Sequence, residues 1–244
     1  MNKKLLLTLL AFSPLTVSAA AITAYSNDFD SAPVIAPGII ANWATPESSV
    51  QPVQGFTAAG FSGNFLTSFS HSTSASGNTA ILTLNNLPTH TSISIDGLIA
   101  IIDSWDSNDG SLGATPDFFN ILVDGSSIFQ DTYNNASGTN NNLSLLADIN
   151  GGKIHRGFSG AYLDQAFDLD NSLSIAHSSS SIQVVISGNG SGWQGGGDEA
   201  WGIDNFVLSL ENNSSIPEPE SIALLGLGLL GFSYTRRKHN SKPA

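Results

Sequence analysis

The sequence predicts an all-β protein, a single jelly-roll-type β-sandwich. Three observations predict it. Short apolar runs alternate with polar residues, Gly, Asn and Asp punctuate those runs, and the body has no long stretch of apolar residues at helical spacing. Leu143–Ile149 comes nearest to such a stretch. Short strands over roughly 190 residues with polar turns suit two packed antiparallel sheets better than a helical or α/β fold.

The elements follow in order. Thr79–Leu84 is a short β-prone run. Ile93 and Ile95 alternate with Ser92 and Ser94, and Leu98–Ile102 continues as a near-solid apolar run. Phe118–Val123, Asp124-Gly125 and Ser127–Phe129 predict a hairpin with a type I′ turn, because Asp-Gly supplies the positive-φ positions that turn needs. Ile182–Ile186 is rich in β-branched residues, and Phe206, Leu208 and Leu210 share one face of the last strand. The polar stretches Thr132–Asn142 and Ser187–Asp198 are expected as loops at the ends of the sandwich. No repeat of fixed period is present.

Charge narrows the partners. The 244 residues carry a formal net charge of -12 and no cysteine. Between Lys4 and Arg236 the basic residues are Lys153 and Arg156 alone. A body this acidic excludes a nucleic-acid partner, whose phosphates need basic contacts. It is compatible with cations and with neutral glycans. The missing cysteines exclude disulfides, thiol catalysis and thiolate metal sites.

The two ends read as addresses. Met1–Ala19 has a charged start at Lys3-Lys4, an apolar stretch and a small-residue cleavage site at Val17-Ser18-Ala19, which predicts a secretory signal peptide over 1–19. Its partners are the secretion translocon and signal peptidase. Residues 20–211 form the predicted β-sandwich ectodomain, and 212–244 a linker and tail. In the tail, Pro217-Glu218-Pro219 precedes an apolar segment, 222–234, and a basic stop, Arg236-Arg237-Lys238. Two prolines forbid a continuous helix, and the basic cluster stays cytoplasmic. As a helix the segment rises about 20 Å against roughly 30 Å of hydrocarbon, so it predicts a short transmembrane helix and a transient anchor.

This order of rigid breaker, membrane segment and basic stop resembles the PEP-CTERM tail of bacterial envelope proteins. The resemblance implies recognition near Pro217, Glu218 and Pro219 by an exosortase-type membrane protease, with Arg236 and Arg237 as the retaining charge. It implies export across the inner membrane, then release to the cell surface or the extracellular matrix among exopolysaccharide.

Two acidic motifs mark the body. The first places Asp106, Asn108 and Asp109 ahead of Gly110, a spacing that suits either an oxygen-ligated calcium or an Asx-rich turn. The second crowds Asp198, Glu199 and Asp204 at the entry to the last strand, while Asp28 and Asp30 flank Phe29 in the expected first strand. The pair is similar to exported jelly-roll domains found upstream of PEP-CTERM tails. That resemblance implies a calcium clipping the domain ends through Asp28, Asp30, Asp198, Glu199 and Asp204; a solvated acidic rim is the other reading. Trp193, between Gly192 and Gln194, is the candidate glycan-stacking ring, with core packing as its alternative. His155 beside Arg156 makes no recognisable triad, so no catalytic residue is assigned. The expected function is therefore a non-enzymatic surface or matrix protein, nearest in class to a carbohydrate-binding module. The alternative is a secreted glycan hydrolase or lyase.

One outcome follows from the tail alone. Pro217→Ala combined with Pro219→Ala should leave export intact and block sorting. Intact-mass analysis of the secreted protein checks it: the wild type should lack the Arg236–Lys238 end, and the variant should keep it.

Overall fold

The computed structural model describes residues 21–45, 48–69, 78–107, 115–135, 149, 152–169 and 173–212. Residues 20–212 form one compact unit. The expected signal peptide, the tail from Asn213, most of Leu143–Ile149, and Asn108 and Asp109 lie outside the described residues.

The described body is all-β. In chain order the strands are β1 (Ile22–Asn27), β2 (Val34–Ile35), β3 (Ile40–Ala44), β4 (Ser49–Pro52), β5 (Asn64–Thr67), β6 (Asn78–Asn85) and β7 (Ser92–Asp103). They continue as β8 (Asp117–Val123), β9 (Ser126–Asp131), β10 (Gln165–Asp168), β11 (Leu173–Ala176), β12 (Ser181–Gly190) and β13 (Glu199–Glu211). A 3-10 helix, Gln54–Ala59, stands between β4 and β5. One sheet runs β10-β7-β13-β1-β2, with β11 also on β7, β5 on β13 and β4 on β5. The other runs β3-β6-β12-β8-β9. All strand pairs are antiparallel.

Alternation builds the core. Leu82 and Leu84 of β6, Phe119 and Ile121 of β8, and Val184 and Ile186 of β12 face inward from the second sheet. Ile93, Ile95, Ile99 and Ile101 of β7 meet them from the first sheet, with Trp201, Ile203, Phe206 and Leu208 of β13. The solid apolar run in β7 has a second cause. Its other face, Ala100 and Ile102, is covered by Phe56, Phe61 and Phe65 around the 3-10 helix. The strand is buried on both sides, so its outward positions are apolar too. Gly202 of β13 belongs to this second layer, because a Cβ there would stand 2.3 Å from the Phe65 ring.

The hairpin forms as expected. Asp124 and Gly125 take φ values of 49° and 78°, as a type I′ turn requires, and join β8 to β9. Three expectations need correction. Strand β12 runs to Gly190, so the stretch from Ser187 is still strand, and the loop starts only at Ser191. Strand β13 starts at Glu199, so Glu199 and Asp204 lie within the strand and only Asp198 stands ahead of it. Strand β1 ends at Asn27, which places Asp28 and Asp30 in the turn beyond it, with Phe29 at φ 56°.

Candidate functional site

The five acids expected around one calcium do not come together. Glu199 and Asp204 stand five positions apart on one strand, about 16 Å at a strand's rise per residue. Odd and even positions also face opposite ways. Glu199 lies on the side of Trp201 and Ile203, within the sandwich. Asp204 lies on the side of Ala200 and Gly202, toward the phenylalanine layer.

Asp204 instead meets Asp28 and Asp30 at a corner formed by Ser62–Asn64. Its Oδ2 accepts from Ser62 N at 2.9 Å, and Asp30 Oδ1 accepts from Asn64 N at 2.7 Å. Burial pushes Asp204 up to about 6, with repulsion from Asp30 and Asp28 adding to it. Asp28 behaves oppositely: the backbone N–H groups of Asp30 and Ser31 donate to its Oδ1 and hold it below the usual carboxylate range. Among the described residues, no three His, Asp or Glu stand where one metal ion could join them.

Asp198 and Glu199 belong to a different group, at the end of the sandwich where β7 stops and β13 begins. Asp103, Asp117, Asp164 and Glu199 are all buried there, at 0% exposure. Backbone donors support them. Asp106 N donates to Asp117 Oδ2 at 2.7 Å, Ser159 N to Asp103 Oδ1 at 3.1 Å, and Arg156 N to Asp164 Oδ2 at 2.7 Å. The N–H groups of Gln194 and Gly195 donate to Glu199 Oε2. The remaining Asp117 Oδ1 and Asp103 Oδ2 accept no hydrogen bond. Burial pushes Asp117 up to about 8 and Glu199 and Asp103 to about 7; neighbouring carboxylates add repulsion. Arg156 is 1% exposed, lies 5.1 Å over the Phe56 ring and donates to Gly55 O. It pins the 3-10 helix and lowers Asp164, though burial still leaves that carboxyl raised. Asp106 was legible in the first motif. Asp164 carried no sequence signal, because a single Asp in a polar run looks the same inside or out.

Trp193 is not an exposed platform. It is 5% exposed and sits edge-on to Trp105 with ring centroids 5.0 Å apart. Its ring lies against Gly188, where a Cβ would come within 2.3 Å. Neither face is open to a sugar. The surface better suited to a polar ligand is the outer face of the second sheet. Thr79, Ser187, Asn120 and Gln130 form one row across β6, β12, β8 and β9, in which Ser187 and Asn120 are buried, Thr79 is half-buried and Gln130 is exposed. Gln130 Nε2 donates to Asn120 Oδ1 at 2.7 Å, which fixes both amides. Ile81, Val185 and Leu122 form the next row, and Asn42, Thr83 and Gln183 the one after. None of the outward positions on these five strands is Asp, Glu, Lys or Arg.

Beyond this body, residues 215–238 match the PEP-CTERM protein-sorting motif. The chain carries a PEP-CTERM sorting signal. Such a signal implies export, transient membrane anchoring and processing by an exosortase, a membrane protease, before surface or extracellular residence. No curated protein matches the chain significantly. Among solved structures, the PEP-CTERM chain is similar to SGBP-B from a complex xyloglucan utilization locus in Bacteroides uniformis, at 12% identity and a TM-score of 0.36. That match covers 76% of this chain and 49% of the other. A second similarity is to the structure of infectious bursal disease virus Gt strain, at 16% identity and a TM-score of 0.29, covering 87% and 41%.

The buried acids of the PEP-CTERM protein set a pH dependence. An unfolded Asp ionises near pH 4, whereas folded Asp117 keeps its proton to about 8. Between those values the folded state binds more protons than the unfolded state, so stability falls as pH rises. Asp117→Asn removes the Asp117 share of that dependence, leaving those of Glu199 and Asp103, and keeps an acceptor for Asp106 N. Urea unfolding at pH 5 and pH 8 should show a flatter profile for the variant. At pH 8 the variant should be the more stable, by about 1 kcal/mol or more.

Proposed function

We propose that this is a non-enzymatic component of the cell surface or extracellular matrix that lies against neutral exopolysaccharide. One observation carries the reading: the uncharged outer face of the second sheet in an otherwise acidic body. Amide and hydroxyl side chains at fixed spacing suit sugar hydroxyls, which both donate and accept. The intervening row of Ile81, Val185 and Leu122 suits the C–H faces of sugar rings. A charged polymer would gain nothing from such a face, whereas a neutral one avoids repulsion from the rest. The strand order supports reading the sandwich as a jelly roll. Strands β6, β12, β8 and β9 neighbour one another in one sheet, and β1, β13, β7 and β10 in the other.

The alternative is a glycan hydrolase or lyase. A glycosidase needs a pair of carboxylates flanking an accessible bond. The groove beside β1 and β13, about 170 Å³ and lined by Asn27, Asp28, Ser31 and Asn205, offers one carboxylate. Asp117 and Glu199 do form a pair of raised acids, but both are buried at 0% exposure. A glycan array separates the readings. The secreted protein should bind neutral polysaccharides without releasing reducing ends. Gln183→Glu and Gln130→Glu should each weaken binding roughly 2–10-fold, the range of one lost hydrogen bond. Release of reducing ends would establish the enzyme instead. Absence of binding to any neutral glycan would overturn the proposed face.

Calcium enters this proposal only at the Asp28, Asp30 and Asp204 corner, where the three carboxylates are not already placed as a ligand set and would have to draw together on the ion. What supports it there is mutual repulsion that burial sharpens. An oxygen-ligated cation would convert that repulsion to attraction. A thermal melt in chelator and in millimolar calcium tests it. The expected midpoint rises with calcium, and Asp204→Asn abolishes the rise. Equal midpoints would remove calcium from the reading.

A further inference from the structure

His90, His177 and Asp124 form a hydrogen-bonded chain that plays no part in the functions above. His90 lies between β6 and β7, His177 follows β11, and Asp124 opens the turn between β8 and β9. His90 Nδ1 stands 2.7 Å from Pro88 O, and its Nε2 stands 2.7 Å from His177 Nδ1. His177 Nε2 stands 3.2 Å from Asp124 Oδ2. The two rings stack at 5.0 Å with an 18° tilt. His90 is 3% exposed and the His177 side chain 7%, while the Asp124 side chain is 47% exposed.

Proton counting decides what this chain is. Both ends accept: Pro88 offers a carbonyl and Asp124 a carboxylate, whose other oxygen accepts from Gln183 N at 2.9 Å. Three hydrogen bonds between accepting ends need three N–H groups on four ring nitrogens. Two neutral imidazoles supply only two, one each. The complete chain therefore holds one extra proton and one positive charge, wherever the middle proton rests.

Two other uses are excluded by geometry. A zinc ion bonded to both facing nitrogens at about 2.0–2.1 Å in tetrahedral geometry would hold them roughly 3.3 Å apart. The observed 2.7 Å admits a proton and not a metal. A catalytic relay needs a nucleophile at the end away from the carboxylate, and that end is capped by the Pro88 carbonyl.

We propose that His90 and His177 share one proton that clasps three connections at the end of the sandwich where β7 begins and β13 stops, and that losing this proton opens the clasp. The neighbouring bonds place it there. His177 N donates to Thr91 O at 3.1 Å, and Thr91 N to Glu211 O at 2.9 Å. Glu211 ends β13, ahead of the tail. The charged group in contact with the pair is Asp124, from the hairpin turn, while Glu211 turns its Oε2 to Ser92 Oγ at 3.4 Å. The described cations lie at the other end of β7: Arg156 bonds Asp164, and Lys153 precedes Ile154, which bridges to Asp164. A neutral pair must leave either Pro88 or Asp124 without its donor.

Asp124→Asn gives the decisive test. An amide at 124 can accept from Gln183 N and donate to a neutral His177, so the same chain closes with two imidazole protons. Asn also tolerates the 49° φ of this position. The measurement is ¹⁵N imidazole NMR of the secreted protein at about pH 5.5 and pH 8.5, with amide exchange of His177 and Gln183 corrected for intrinsic rates. Wild type should show three imidazole N–H protons on the pair at the lower pH and two at the higher. Exchange should speed up by roughly 2–10-fold between them, as for one lost hydrogen bond. In the variant, two N–H protons and equal protection are expected at both pH values. Two imidazole protons in wild type at about pH 5.5 would overturn the proposal, and so would a variant that protonates as wild type does.

Discussion

The pairing of β7 with β13 is the constraint on which the rest of the body depends. Its register runs from Glu199 opposite Asp103 to Glu211 opposite Ser92. Where Leu98–Ile102 lies beside Ala200–Asp204, the two strands are buried on both faces, by the sandwich core on one side and the phenylalanine layer on the other. The pair therefore cannot shift by one residue without turning Ile99, Ile101, Trp201 and Ile203 out of the core. Its two ends hold the two polar assemblies of the domain. At one end Asp103 and Glu199 enter the carboxyl group; at the other Ser92 and Glu211 anchor the segment that carries His90. The acid-bearing end and the histidine-bearing end are thus fixed relative to each other by one strand register.

What the sequence revealed was what local chemistry decides. Asp124-Gly125 specified its turn because the backbone there must take positive φ. The alternating runs gave β6, β7, β8 and β12 with small boundary errors. The acids failed as a set for a physical reason. Asp198, Glu199 and Asp204 are neighbours in sequence, but a strand sends alternate side chains to opposite faces. Trp193 failed because its flanking glycines looked like an open loop. Gly188, two strand positions before the end of β12, instead leaves the space that the ring fills. His90, His177 and Asp124 were illegible: 87 and 53 residues separate the partners, and no local pattern marks them. The phenylalanine layer was equally hidden, since Phe56, Phe61, Phe65 and Phe158 follow neither a helical nor a strand period.

Charge is distributed by role. The carboxyl groups concentrate at one corner and at one end of the sandwich, where backbone N–H groups take the place of basic side chains as partners. The broad face of the second sheet carries amides, hydroxyls and aliphatic groups only. An acidic body remains soluble through its net charge, while a neutral face keeps contact with uncharged material free of that repulsion. The PEP-CTERM tail delivers this body to the outside of the cell envelope, so the same surface chemistry serves solubility and location together.

The position of β13 has a consequence for the order of events. It is the last strand among the described residues, yet it lies between β7 and β1 in the middle of its sheet. Strand β1 pairs with it across nearly the whole body, Ile22 against Leu210. A chain delivered N-terminus first thus holds an open slot until its final strand arrives. Contacts of such long sequence separation make closure slow. The sorting tail begins only a few residues after β13, at 215. Completion of the sandwich therefore waits for the stretch of chain that immediately precedes the sorting motif.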